Sequence, residues 1–372
     1  MLGRYRLHLR QAHAHPAHLS LRKHSMQALR ATGALQERVG SRRSELKRLM
    51  TNDPEILILS TIVDPATDDV ATVLESRGIP FVRINSENYP FSDTLTFWPD
   101  HGLSSNNLQV SGQDLSSFKR VWYRRLRAPS RPENMDEGIY TFCLQETRAT
   151  LLGSIMGLHA KWMSSPVAVW KSEFKPYQLQ LASELGLPIP PTVITNDPHR
   201  IRDAYDAFGQ MIVKPVRTGY VVHDRQELAV YTSQVLPEHL EHLESARLSP
   251  SIYQKLIPKK FDIRATIVGD RVFAAAIDSQ SDAAASIDWR MTENPQLPHL
   301  RIELPNQLIS ILLRLMKTLD LSFGAIDLIQ TIDDEYLFLE INPNGQWLWL
   351  DDMLDLGISN AVADWLVGAE CN

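Results

Sequence analysis

Only two cysteines, Cys143 and Cys371, occur in 372 residues. They stand far apart and in no metal-type spacing. That excludes a disulfide scaffold and a cysteine-based metal site, and it fits a reducing, cytoplasmic compartment. No apolar run reaches the ~18 residues that suggest a membrane span, so no membrane partner is expected. The first residues lack the apolar h-region of a secretory signal. No Ser/His/Asp arrangement stands out. The twelve histidines are scattered, five of them before residue 50. Internal repeats are absent. Positive charge is scarce and uneven within a net charge of -6: residues 1–50 hold eleven Lys/Arg and two acids, while the rest carry 27 bases and 42 acids. So acidic a body excludes general nucleic-acid binding.

What remains is globular, with 44% hydrophobic and 22% charged residues. The length suits two or three domains. Residues 1–50 are rich in Arg, His, Ala and Leu and show no strand pattern. They read as a basic arm for an acidic partner, as a transit-like segment, or as the product of a start codon misassigned upstream of Met50. The last is favoured, because nothing downstream needs them; residues 25–50 still suit an amphipathic helix. From residue 55 a β-α-β order sets in, with strands at 56–59 and 80–84 around a helix at 64–77, which suggests a small parallel sheet. Strands at 95–98, 108–110 and 118–124 and a helix at 137–158 complete one lobe. A second lobe holds a helix at 175–185, a strand at 211–215, a hairpin at 220–232 and an amphipathic helix at 237–247. A third holds strands at 251–256, 261–268 and 271–277, a polar loop at 281–299, an apolar helix at 306–319, a hairpin, and a closing helix at 358–367.

That hairpin, residues 323–344 (FGAIDLIQTIDDEYLFLEINPN), is the most informative stretch. A turn centred on Asp333-Asp334 sets Ile332 against Glu335 and Asp327 against Glu340. Asn342 shares Glu340's face, because side chains alternate along a strand. Ile326, Leu328, Leu337, Leu339 and Ile341 fall on the other, core face. Two opposed carboxylates destabilise a ladder by up to ~1 kcal/mol, and burial adds to this. A hard cation such as Mg²⁺ would relieve the conflict, since it prefers oxygen ligands and shares them with phosphates. The hairpin alone fits a solvent-exposed sheet face equally well.

Other residues bear on this choice. Lys214 leaves a buried strand just before a turn containing Gly219, where lysine and backbone N–H groups can reach a phosphate. Lys175 precedes a helix whose N-terminus favours anions. Either could equally be a surface residue. Residues 253–257 read as an extended hinge in which Gln254, Lys255, Leu256 and Ile257 could meet a flat heterocycle, or as an ordinary edge strand. Asp262 with Arg264, and Asp288 with Arg290, pair an acid with a base that suits carboxylates and phosphates; a structural salt bridge is the alternative for both. Arg124 and Arg125 end a strand and could hold an anion. His239 and His242 sit near Glu241 and Glu244 on what reads as a solvated face. The run 347–350 (WLWL) alternates like a strand, with one Trp in the core and one at the site.

In order, these elements resemble the ATP-grasp fold, an α/β (α+β) architecture, here with an N-terminal pre-ATP-grasp α/β domain. More narrowly, the chain resembles the graspetide (microviridin-type) ligases. The matches are VWYRR at 121–125, KPYQLQLASELGLPIPPT at 175–192, KPVRTGYV at 214–221, QKLIPKKFDIRATIVGDRVFAAAI at 254–277, DWR at 288–290 and LEINPNGQWLWLD at 339–351. The resemblance spans residue 55 to the C-terminus and leaves the basic extension at 1–50 outside it; it implies a pre-ATP-grasp domain at 51–165, a central lobe at 166–253 that docks a leader peptide, and a C-terminal lobe at 254–372 with the metal and nucleotide site. It implies that ATP activates Asp/Glu side chains of a precursor peptide with leader and core, for attack by Ser/Thr hydroxyls or Lys amines. It further implies that Asp327, Glu340 and Asn342 bind two Mg²⁺, that Lys175 and Lys214 hold phosphates, and that the hinge backbone meets adenine. Arg264, Arg290 and Asp288 become catalytic candidates, and Arg124, Tyr220 and Val221 substrate contacts. Leader docking falls on the 220–232 hairpin and the 237–247 helix. Family members are often dimers, which leaves a homodimer open. One departure is a phosphate loop at 218–225 with Gly219 alone and no Gly-Ser run. A RimK-like ligase that adds an amino acid to a carboxylate, and a catalytically silent ATP- or peptide-binding module, are the competing functions.

Overall fold

A computed structural model describes residues 10–11, 54–99, 108–217, 219–223, 226–294 and 296–369. The expected helix at 25–50, Cys371 and parts of the 218–225 loop lie outside the described residues. Within the first fifty, Arg10–Gln11 forms a short strand pairing with Gln226–Ala229, although the sequence there carries no strand pattern.

The run Ile56–Ser60 is buried along its whole length because it lies inside a parallel sheet covered on both faces. Strand order is Phe81–Asn85, Ile56–Ser60, Arg120–Tyr123, Lys161–Met163, all parallel. The helix Pro65–Ser76 supplies the first crossover, and Pro65 suits its first turn. One face of this sheet does not close on its own lobe. Ile56, Ile58 and Trp122 share a core with Phe323, Trp347 and the closing helix Ile358–Val367. The first and last parts of the chain are thereby packed together.

A five-stranded antiparallel sheet carries the hairpin, in the order His299–Ile302, Arg271–Ile277, Lys259–Val268, Phe323–Thr331, Tyr336–Asn342. The helix Asn306–Leu319 covers it through Leu308, Leu312, Leu315, Met316 and Leu319, one helical stripe. A smaller antiparallel sheet orders Ser233–Val235, Met211–Pro215, Ser251–Lys255 and Thr192–Thr195.

Three local expectations need correction. The 237–247 segment is not an amphipathic α-helix but a 3₁₀ helix, Pro237–Leu248, kinked at His242. Leu240, Leu243 and Ala246 pack on the small sheet's core at a spacing of three, the 3₁₀ period. The WLWL run is not a strand: the helix Leu348–Leu354 begins there, with Trp347 and Leu350 buried. The polar loop at 281–299 also gives way to an edge strand, His299–Ile302, where the sequence pattern marks none.

The hairpin pairs Asp327 with Glu340, but by a different route from a simple count. Thr331, not Ile332, faces Glu335: its N–H donates to the Glu335 carbonyl at 2.8 Å, around a loop in which Asp334 has φ 64°. That displaces the pairing by one residue, so Leu328 opposes Phe338. A bulge at Leu339 then restores the original count at Asp327. As a result Phe338 fills the core at 0% exposure, whereas Leu337 and Leu339 are only half-buried.

Candidate active site

Lys175, Lys214, Tyr220, Arg264, Asp288, Arg290, Asp327, Glu340 and Asn342 all line one open cavity of about 680 Å³. Its floor is the hairpin and its neighbour strand. Arg264 lies opposite Asp327 on the adjacent strand. Arg264 Nη1 donates to both Asp327 carboxylate oxygens, at 2.8 and 2.9 Å, and Nη2 to the Gln346 carbonyl at 3.3 Å. Lys175 Nζ sits 2.8 Å from Glu340 Oε2 and donates to the Pro215 carbonyl. The two facing carboxylates are thus reconciled by two cations of the chain itself.

The electrostatics follow from that pairing. Burial pushes the Asp327 carboxyl up, Arg264 pulls it back, and Glu340 adds to the rise. Burial acts on Glu340 in the same sense, but Lys175 and Lys214 outweigh it and hold this carboxyl below its ordinary value. Burial lowers the Lys214 ammonium to about 8; Glu340 opposes the fall and Lys175 adds to it. Lys214 is therefore a half-buried cation with Lys175 and Arg290 near it and, among the described residues, no close ion pair of its own, a position that an anionic ligand would relieve.

Gln178 is a participant with no sequence signal beyond its motif. Its Oε1 accepts from the Ile341 N–H at 2.9 Å, and its Nε2 donates to the Ile341 carbonyl at 2.8 Å. A side-chain amide here replaces a missing neighbour strand and fixes the edge that presents Glu340 and Asn342. Gly345 allows the next loop to pass under Arg264: a Cβ there would lie 2.4 Å from Ala325 Cβ and 2.7 Å from Arg264 Nη2. Trp349 lines the cavity and stacks on Trp289 with centroids 5.1 Å apart, so the tryptophan expected at the site is Trp349 and the core one is Trp347.

Arg290 and Asp288 form one unit. Arg290 Nε and Nη2 donate to the two carboxylate oxygens at 2.8 and 2.6 Å, and the N–H groups of Arg290 and Thr232 donate to the same carboxylate. Burial would raise the Asp288 carboxyl, but these bonds and the guanidinium charge lower it. Its oxygens are occupied by these bonds, and Asp288 thereby holds Arg290 in place.

The expectation for Arg124 is corrected. It is 0% exposed and lies behind the cavity. It donates to the carbonyls of Asn344 and Gly345 and to Gln346 Oε1, and its Nε lies 3.3 Å from Asp64 Oδ2. No substrate reaches it; Arg125, the next residue, lines the cavity instead. Val221 is exposed but outside the lining. Gln254, Lys255, Leu256 and Ile257 also lie outside it. Rather than a free linker, residues up to Lys255 form an inner strand of the small sheet. The N–H groups of Lys255 and Leu256 already donate to the carbonyls of Pro191 and Gln210 and are not free to pair with a heterocycle. Gln254 donates to Thr192 Oγ1 and keeps a buried, unpartnered Oε1.

Among the described residues no cluster of three His, Cys, Asp or Glu is suited to a metal. The oxygen set is two carboxylates and the Asn342 carboxamide, a hard-donor set of the kind Mg²⁺ takes alongside substrate phosphates. No helix among the described residues is long and apolar enough to cross a membrane.

Comparisons with known proteins agree with this picture. The MvdD pre-ATP grasp domain family matches residues 55–169. The structure resembles a Chryseobacterium gregarium RiPP-associated ATP-grasp ligase, solved with ADP and a leader and core peptide, at a TM-score of 0.78 and 29% identity over 86% of this chain and 98% of that one. It resembles the macrocyclase MdnC of Microcystis aeruginosa, solved with the precursor peptide MdnA, at a TM-score of 0.74 and 30% identity over 85% of this chain and 100% of that one. Human (Homo sapiens) N-acetylaspartylglutamate synthase A is 23% identical over 270 residues, 69% of this chain. The match spans 62% of that curated relative's length.

Proposed function

Since the chain belongs to the graspetide ATP-grasp ligases, with their pre-ATP-grasp domain, we propose that it is an ATP-dependent macrocyclase of a ribosomally made precursor peptide. The observation that carries this is the convergence, on one cavity, of an oxygen face (Asp327, Glu340, Asn342), two lysines and two fixed arginines. Phosphoryl transfer needs positioning and charge neutralisation more than covalent help. Lys175 exchanges Glu340 for a phosphate oxygen, and Lys214 regains its full charge beside the same phosphates. Asp327, Glu340 and Asn342 would hold two Mg²⁺, which supply charge neutralisation to the phosphates when bound.

A peptide Asp or Glu carboxylate takes the γ-phosphoryl group of ATP, releasing ADP. A Ser/Thr hydroxyl or Lys amine of the same peptide attacks the acyl carbon, the C–O bond to phosphate breaks, and the departing phosphate receives the proton. Arg290, locked by Asp288, presents its remaining N–H to the carboxylate or to the developing acyl phosphate. Arg264 serves the same charge from beside Asp327.

Mass spectrometry of the precursor with enzyme, ATP and Mg²⁺ tests the reading. Loss of one water per ring is expected. A mass gain of one amino acid would instead identify a ligase that extends a carboxylate.

A further inference from the structure

A second cavity of about 680 Å³ adjoins the first and shares Arg125, Glu173, Arg217 and Asn342 with it. It runs from the mouth of the active site onto the amino-terminal lobe, between the segment after the Arg120–Tyr123 strand and the helix Glu137–Met156. Its floor is apolar, with Leu126, Leu144, Leu151 and Leu152. Its charged lining is four arginines, at 125, 127, 148 and 217, against the single carboxylate of Glu173.

That ratio is unusual for a chain with a net charge of -6. The arginines are also poorly compensated. Among the described residues Glu173 pairs with Arg217 alone, at 3.7 Å. Arg125 donates to the Asn344 carbonyl at 3.2 Å; burial depresses its pKa, Asp64 opposes the fall, and the neighbouring Arg127 adds to it. Arg127 and Arg148 are exposed and make no ion pair among the described residues. Like charges are held together here with little compensation among the described residues, next to a site where carboxylates react.

We propose that this cavity holds the acidic stretch of the substrate peptide adjoining the reacting residue. Carboxylates would meet Arg125, Arg127 and Arg148, and interspersed apolar side chains would rest on the leucine floor. This rests on the peptide-cyclase reading. Charge complementarity and continuity with the active site select the occupant: an anionic, partly apolar extended peptide. Guanidinium groups suit its carboxylates by their planar fork. The cavity would keep waiting acidic residues close to the site while one of them reacts.

The test separates this inference from the catalytic reading by measuring binding without turnover. A fluorescein-labelled synthetic peptide of alternating Glu and Leu is titrated by anisotropy into the full chain with saturating MgADP, and its Gln/Leu counterpart serves as control. The Glu/Leu peptide should bind, weaken with added salt, and lose about tenfold or more in affinity for the Arg127→Glu/Arg148→Glu variant, each tenfold being ~1.4 kcal/mol. Both positions are exposed, and unchanged MgADP affinity in the variant shows an intact fold. A Leu144→Asp variant, which spares the arginines, should weaken the same peptide. Equal binding of the Glu/Leu peptide by wild type and the double variant, or equal binding of both peptides by wild type, would overturn the proposal. Failure of the cyclase reading would appear separately, as absent water loss in the precursor assay while these affinities hold.

Discussion

Arg124 Nη1 donates to the carbonyl of Asn344 at 2.7 Å across 220 residues of sequence, and its guanidinium stands 4.8 Å from the centroid of the Trp347 ring. A strand end in the first lobe is thereby bolted to the loop that follows the hairpin of Asp327 and Glu340. Asp64 completes the arrangement from the other side. Burial lowers the Arg124 pKa to about 9, with Asp64 opposing the fall, and the group stays charged at neutral pH.

Removing this bolt should be costly. Arg124→Met leaves Asp64 buried without its partner, and breaking a buried pair costs about 3–5 kcal/mol. Adding Asp64→Asn to that variant should recover a large part of the loss. Urea denaturation of wild type and the two variants checks this. An Arg124→Met protein as stable as wild type would show that the contact holds nothing together.

The bulge at Leu339 makes a second claim measurable. Phe338→Ala should cost about 3–5 kcal/mol, as for a fully buried aromatic. Leu337→Ala, at a half-buried position, should cost clearly less in the same denaturation series. Reversed costs would place the bulge elsewhere and return Leu337 to the core.

The oxygen face should be indispensable for turnover and not for folding. Asp327→Asn and Glu340→Ala should each reduce ADP release by about 10²-fold or more, the scale expected when an electrostatic partner of the transition state is lost. Circular dichroism should stay that of a folded protein, while melting falls somewhat, because Asp327→Asn leaves Arg264 and Glu340→Ala leaves Lys175 without its carboxylate partner. Retained ADP release in either variant would remove the metal and phosphate role from this face.

Lys214 should impose a pH dependence on nucleotide binding. Phosphates bind the ammonium form, and in the free protein burial brings its pKa from 10.5 to about 8. ADP affinity should therefore fall as pH rises through about 8, by up to tenfold per pH unit. Lys214→Met should bind more weakly and lose that slope. Stability moves in the opposite sense. Between about 8 and 10.5 the unfolded chain binds more protons at this site than the folded one, so this lysine's contribution makes the apo protein more stable as pH rises there. Calorimetric titrations of ADP at several pH values decide the first point, and denaturation at the same pH values the second.

How the site could be read from the sequence depends on which residues are asked about. Asp327, Glu340 and Asn342 were accessible through strand alternation, since side chains two apart on one strand share a face. The pairing of Asp327 with Glu340 emerged from two one-residue displacements, at the turn and at Leu339, that cancel at that rung. Between those points the simple count fails, and Phe338 takes the core position assigned to its neighbours. Lys175 and Lys214 lie on different elements and meet only because the helix Lys175–Glu184 packs on the hairpin edge through Gln178. Arg124 and Arg125 look alike as a strand-end pair, yet adjacent side chains diverge: one enters the buried junction and the other lines both cavities.

The linear chain by itself determined the order of the elements, the parallel amino-terminal sheet and the oxygen-bearing hairpin. These follow from local periodicity and turn chemistry, which act over a few residues. Tertiary structure alone decided that Arg264 and Lys175 neutralise the two carboxylates and that Arg124 is a structural bolt. Those outcomes depend on burial and on charges brought together from distant segments, and no local pattern encodes either.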